Sequence, residues 1–229
     1  MDIKIDKEVF KKLHSELKMG LIHLEGINNQ AKVEESRHLL KEITELINLT
    51  FNKDTIKTHE LISPWEVVKE EFGSGAKHYQ TSLEKLLRAV LAGKNVLAAN
   101  TLTNLVRYLS LKHLIPLAVD DLDEVEGNLN FKISQGGEKM SLIWRLKKNV
   151  LYYRDDRGIL GAKLDFWKDK RTAVGPETTG ALIHIEAIPP ITGVKLAKIM
   201  KDIMFLARTF CKGKGTSLTL DRRRSKVKI

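Results

Sequence analysis

The chain has 229 residues, 42% of them hydrophobic and 30% charged, with a net charge of +10 and a single cysteine. That length can bury one large core or two small ones, and no apolar run approaches the ~18–20 residues of a membrane-spanning helix. Cys211 alone excludes an internal disulfide, no Cys/His spacing suggests a metal, nothing points to a cofactor, and without a signal-peptide region the expected setting is a reduced cytoplasm.

Residues 1–18 mix charge with apolar spacing at Val9, Phe10, Leu13 and Leu17, which predicts a short N-terminal helical extension. MGLIHLEGI (19–27) follows, closed by the turn signal Asn28-Asn29. Val33–Leu49 carries Leu39, Leu40, Ile43, Leu46 and Ile47 at helical spacing between charges. Two more helices announce their own starts. Ser63-Pro64-Trp65-Glu66 has a capping serine, a proline in the first turn and a glutamate three residues on, with Gly73 as its stop. Thr81-Ser82-Leu83-Glu84 repeats the pattern and opens a helix through Ala92, ended by Gly93. Asn100 caps a fourth helix whose buried stripe is Leu102, Leu105, Val106 and Leu109. Asn100, Asn104 and Arg107 share its other face, either as ordinary surface or as donors aimed at a ligand. IPLAVDDLDEVEG then reads as an acidic connector between Pro116 and Gly127.

From Asn128 the period changes to two. Leu129–Ser134, Leu142–Leu146, Val150–Arg154 and Ile159–Phe166 read as strands, joined by Gly136-Gly137 and by Asp155–Gly158. The most informative stretch follows, VGPETTGALIHIEAIPP (174–190). Alternation puts Leu182, His184 and Glu186 on one side of its strand and Ile183, Ile185 and Ala187 on the other. One face is apolar, as a core requires. The other is either a solvated outer face or the polar floor of a pocket, with Thr178 and Thr179 in a turn just upstream. LIHLEGI (21–27) matches LIHIEAI (182–188) at five of seven positions, so the two strands are expected to be neighbours in one sheet, with His23 and Glu25 on the face of His184 and Glu186. A helix from about Val194 to Cys211 comes next. Residues 212–229 then hold seven Lys/Arg against one Asp, which reads as a basic tail that binds a polyanion through Arg222, Arg223, Arg224 and Lys226, or stays solvated. Helices first and antiparallel strands later argue for one α+β domain, helices packed on a mainly antiparallel sheet.

NTLTNLVRYLSL, PLAVDDLDEVEGNLNFKIS and VGPETTGALIHIEA, in that order, resemble blocks of the B3/B4 domain of the phenylalanyl-tRNA synthetase beta subunit. WEVVKEEFGSG with SLEKLLRAVLAGKN is more similar to free-standing members of the same domain family. The resemblance covers roughly residues 19–213, which divides the chain into an extension (1–18), a B3/B4-like domain (19–213) and a basic tail (214–229). It implies an editing domain that hydrolyses the ester of a mischarged tRNA, acting in trans because no synthetase core or ATP-binding signature is present. It places the specificity glutamate at Glu186. Ala118 stands where the synthetase motif has histidine, Asn104 where aspartate is usual, and Arg107 where asparagine is usual.

An aminoacyl ester is already activated, so a deacylase needs to place a water, stabilise an oxyanion and exclude correct substrates. Glu186, Thr178 and Thr179 are the expected catalytic residues. Asn100, Asn104 and His184 are the expected substrate-binding residues, and tRNA is the expected partner. A tRNA- or RNA-binding module of the same fold without hydrolytic activity is the alternative.

Overall fold

The computed structural model describes residues 1–70, 72, 79–140, 144–162 and 167–229. In chain order the elements are β1 (Asp2–Ile5), α1 (Lys7–Lys12), β2 (Lys18–Glu25), α2 (Val33–Thr50), α3 (Ser63–Glu70), α4 (Ser82–Leu91) and α5 (Thr101–His113). Strands β3 (Leu117–Asp121), β4 (Leu129–Ile133), β5 (Leu151–Arg154), β6 (Ile159–Ala162), β7 (Trp167–Lys168) and β8 (Gly180–Ala187) follow, then α6 (Gly193–Cys211), β9 (Lys214–Leu220) and β10 (Lys226–Lys228). They form an α+β fold built on two sheets, ordered β10-β1-β4-β5-β6-β7 and β3-β8-β2-β9. All pairings are antiparallel except that of β1 with β4. Among the described residues no helix is long and apolar enough to cross a membrane.

The alternation of β8 creates the layers. Ile183 and Ile185 are fully buried and pack with Ile22 and Leu24 of β2 against Leu102 and Leu105 of α5 and Leu196 and Ile199 of α6. Each such isoleucine contributes roughly 1.5–3 kcal/mol by leaving water. The opposite face, with Met19, Leu21 and Leu182, lies against Leu129, Phe131, Leu151 and Tyr153 of the six-stranded sheet. The four-stranded sheet is therefore covered on both sides, by helices on one and by a sheet on the other. Gly20 makes the helical side possible: a Cβ there would stand 2.9 Å from the Met200 sulfur. A further helical layer joins α2 and α4 to α5 through Leu40, Ile47, Leu83, Leu87 and Leu111.

Two of the three expected caps are found, while Ser63 is itself the first residue of α3 and its N–H donates to His59 O. The Thr81 hydroxyl accepts from Glu84 N while the Glu84 carboxylate accepts from Thr81 N, and the Asn100 side chain accepts from Thr103 N. Gly136 and Gly137 both have positive φ (100° and 91°) at their expected turn. The stop at Gly73 and the first two residues of the strand expected at Leu142–Leu146 lie outside the described residues, and the other three, 144–146, form only an isolated bridge between Lys139 and Arg145 in place of a strand. The end of the strand expected at Ile159–Phe166 lies outside them too.

Three readings are corrected. The N-terminal extension is not only helical: Ile3 and Ile5 are fully buried as strand β1, between β10 and β4. The basic tail is not a tail. Lys214–Leu220 pairs with β2 along seven residues and Lys226–Lys228 pairs with β1, so residues 214–228 close an edge of each sheet. The reason is the same in both: a short period-two strand interleaved with charged residues is masked by them. The acidic connector, thirdly, contains the edge strand β3.

Candidate functional site

The expected pairing of LIHLEGI with LIHIEAI is found. β2 runs antiparallel to β8 with Ile22 opposite Ile183 and His23 opposite Leu182, so His23, Glu25, His184 and Glu186 all lie on one face. Antiparallel register nevertheless sends the two pairs to opposite ends. Glu25 is opposite Gly180, six residues and about 20 Å along the strand from Glu186. His23 and Glu25 form their own contact at 3.3 Å, with Glu25 exposed.

The buried pair sits between the two sheets. His184 Nδ1 is 2.7 Å from Glu186 Oε1, and His184 Nε2 is 3.6 Å from Asp120 Oδ2. A carboxylate can only accept here, so Nδ1 carries the proton toward Glu186. Asp120 is opposite Leu182 on β3, and its carboxylate is completely buried. It accepts from Thr172 Oγ1 at 2.5 Å and from Tyr153 OH at 3.0 Å, and it pairs with Lys168 Nζ at 3.1 Å. Burial by itself would raise the Asp120 pKa. The Lys168 ammonium, His184 and the Thr172 hydroxyl outweigh it and hold the carboxyl well below the usual carboxylate range. The rings of Phe131 and Tyr153 meet the imidazole edge-on, at centroid distances of 5.4 and 5.0 Å. Tyr153 reaches this position because its partner across the ladder is Gly161, where a Cβ would lie 2.2 Å from the Tyr153 ring.

The result is a row, Asp120–His184–Glu186, with the imidazole between two carboxylates at opposite ring nitrogens. That geometry orients Glu186 but cannot chelate one ion. Among the described residues no group of His, Cys, Asp and Glu is arranged to hold a metal.

Beside Glu186 is a cavity of about 20 Å³, room for one water molecule, lined by Trp65, Thr81, Pro116, Phe131, Tyr153 and others. Its helical wall is locked. Lys69, 3% exposed, places Nζ 2.6 Å from Glu84 and 2.5 Å from Glu66, tying α3, which carries Trp65, to the capping box at Thr81.

On the far side of edge strand β3 lies a larger groove of about 610 Å³, between α4, α5 and the segment 168–174. Ala118, which borders it, is directly opposite His184, and Lys168 reaches from it to Asp120.

The other sequence-derived candidates lie elsewhere. The Thr178 hydroxyl donates to Asp121 Oδ2 and accepts from Gly175 N, and Thr179 Oγ1 donates to Asp123 at 3.1 Å. Both hold the turn after β3. They do not share a pocket with Glu186, because β8 is extended and carries it about 23 Å away from Thr179. Asn100 Nδ2 donates to Val174 O at 3.2 Å. Asn104 is fully buried, accepting from Ala98 N and donating to Ser36 Oγ and Ala98 O. These asparagines brace backbone, not a ligand beside Glu186. Arg222, Arg223 and Arg224 form the exposed turn between β9 and β10, organised by Asp221 Oδ1, which accepts from Arg223 N and Arg224 N. Lys226 is paired with Asp2 at 2.7 Å. Cys211 is buried, and burial pushes its thiol up to about 12, too high for a nucleophile at neutral pH.

Sequence reasoning missed Asp120, Tyr153, Lys168 and Thr172. The available signal was an acid two residues from Ala118 inside the apolar run LAV. It also missed a basic stripe on the outer face of α6, where Lys198, Lys201, Phe205 and Arg208 are all exposed.

The B3/4 domain family model matches residues 65–204, which hold the whole Asp120–His184–Glu186 row. Strands β1, β2, β9 and β10 lie outside the match and complete both sheets. Among solved structures, an N-terminal fragment of the phenylalanyl-tRNA synthetase beta-subunit from Pyrococcus horikoshii is similar, with 9% identity and a TM-score of 0.44 over 95% of this chain and 53% of that one. The chain thus spans about half the length of that fragment. No curated protein matches.

Proposed function

This chain belongs to the B3/4 domain family, and on that premise we propose that it acts in trans on aminoacylated tRNA, hydrolysing the ester of a mischarged molecule. The observation that carries the reading is Glu186 at a water-sized cavity, its carboxylate oriented by His184, and His184 backed by the ionised Asp120. Water adds to the ester carbonyl carbon, the tetrahedral intermediate collapses, and the ribose oxygen leaves with a proton to give free tRNA and free amino acid. Glu186 touches the water or the substrate's polar group. Asp120 and His184 are positioning residues. Thr178, Thr179, Asn100 and Asn104 serve at one remove, holding the loops that shape the far groove.

The test is a panel of tRNAs charged with non-cognate amino acids, scored by release of labelled amino acid. The expected outcome is one combination hydrolysed roughly 10²-fold or more above its uncatalysed rate, the lower end of what a positioned proton acceptor supplies. Binding of tRNA with no release from any combination would leave the chain a non-catalytic tRNA-binding module.

The tRNA body is held by phosphate contacts from the Arg222–Arg224 turn and the α6 stripe. Deleting residues 214–229 cannot test this, since it removes two strands. Replacing the three arginines with glutamine keeps both strands. It is expected to weaken all tRNAs alike and to flatten the salt dependence by about 2–3 in log–log slope. Loss of one tRNA with retention of the others would mean that the turn reads identity instead.

A further inference from the structure

The groove outside β3 lies apart from Glu186, and a partly buried arginine stands in it. Arg107 rises into it from α5, with Nη1 donating to Val96 O at 2.6 Å. Among the described residues no carboxylate pairs with this half-buried guanidinium, and burial pushes its pKa down. Taking a charge out of water without a counter-charge is costly. Such an arginine is a socket for an anion brought from outside. Lys85 of α4 and Lys170 line the same groove and are exposed. Asp169 is the carboxylate bordering it, and its Oδ1 is already accepting from Arg171 N at 2.8 Å. Lys168 is neutralised by Asp120.

The rest of the lining is not that of a simple ion site. Leu86, Ala89, Val96 and Val106 make an apolar wall, while Thr103 and Asn95 add polar points. Asn95 accepts from Leu97 N through Oδ1, which leaves its amide nitrogen as a donor. At about 610 Å³ the groove has the size of pockets that take cofactor-sized molecules. A planar apolar ring, a polar edge and an anionic group are together the chemistry of a nucleotide.

We propose that this groove binds a nucleoside 5′-phosphate unit, with the phosphate forked by Arg107 between Lys85 and Lys170 and the base on the Leu86–Val106 wall. An arginine fork suits phosphate oxygens in a way a lysine point charge does not. The unit has two possible sources, a free nucleotide or the terminal nucleotide of an RNA strand. Neither requires that the chain hydrolyse an ester, so the inference stands or falls apart from the proposed function.

The experiment measures binding of AMP, adenosine and uncharged tRNA to the full chain by calorimetry, with no aminoacyl group present. AMP is expected to bind and adenosine to bind at least 10-fold more weakly. Arg107→Met keeps the side-chain stem and removes the fork, and is expected to weaken AMP by about 10-fold or more. Lys170→Glu changes an exposed residue and is expected to act in the same direction, so the result does not depend on Arg107→Met folding normally. Competition assigns the source: displacement of tRNA by AMP identifies the RNA terminus, and simultaneous binding identifies a free nucleotide. Equal affinity for AMP and adenosine, or AMP binding unchanged in both variants, would overturn the proposal. So would no measurable binding of AMP together with tRNA affinity indifferent to both substitutions.

Discussion

Replacing Asp120 by alanine is expected to cost about 3–5 kcal/mol of folding stability, the range found when one member of a buried ion pair is removed. The carboxylate is completely buried and is the common partner of Thr172, Tyr153, Lys168 and His184. Its removal leaves several buried polar groups facing a space with no acceptor. Asp120→Asn should cost clearly less, because the amide oxygen still accepts from Thr172 and Lys168 retains its bond to Val119 O. Lys168→Met isolates the electrostatic part. In the native chain the Asp120 pKa is depressed, so its contribution to stability is present above the unfolded carboxylate value of about 3.9 and is lost as pH falls through its lower folded value. Without the ammonium, the desolvation that raises the pKa is less well opposed. The stability gap between Lys168→Met and the native chain should therefore be widest near pH 7 and narrow toward pH 3. Urea denaturation at both pH values measures it. A gap that is independent of pH would assign the loss to packing of the lysine stem.

Glu186→Ala is expected to lower hydrolysis of the preferred mischarged tRNA by about 10²–10⁴-fold, the usual worth of a positioned proton acceptor, with tRNA affinity unchanged. Its strand points the carboxylate away from Ile183 and Ile185, so the helical side of the core is untouched. Glu186→Gln separates its roles. The amide oxygen can keep the 2.7 Å contact with the proton of His184 Nδ1, and that choice turns the NH₂ toward the cavity. A donor then stands where an acceptor stood, so Gln should be as inactive as Ala. Activity largely retained in Gln would mean that the residue binds a neutral donor such as a substrate hydroxyl. Full activity in both would move the chemistry away from Glu186. Rates and affinities must be measured on the same preparations, because only a loss of rate without a loss of binding identifies a group that acts on the reacting ester.

What the sequence determined by itself is what depends on near neighbours in the chain. Capping at Thr81 and Asn100, the stripes of α2 and α5, the glycine turn at 136–137 and the two-faced pattern of β8 are all set within a few residues, where backbone hydrogen bonding and side-chain period act directly. The LIHLEGI/LIHIEAI match extended this to one long-range fact, the pairing of β2 with β8, because two strands with the same alternation bury the same kind of face. Direction escaped it. Antiparallel register put the second His–Glu pair at the far, exposed end of the strand. The length of β8 likewise carried Thr178 and Thr179 away from Glu186. The charge of residues 1–6 and 214–228 hid three strands whose apolar residues become legible only when a neighbouring strand takes up their hydrogen bonds. Asp120 was the largest loss. In the chain it is one of several acids in a row, and nothing local distinguishes it from Asp121 or Asp123. Only the packing of the six-stranded sheet on β8 brings Tyr153, Lys168 and Thr172 from as far as fifty-two residues away to one carboxylate, and an aspartate becomes part of a site when those partners surround it and water does not.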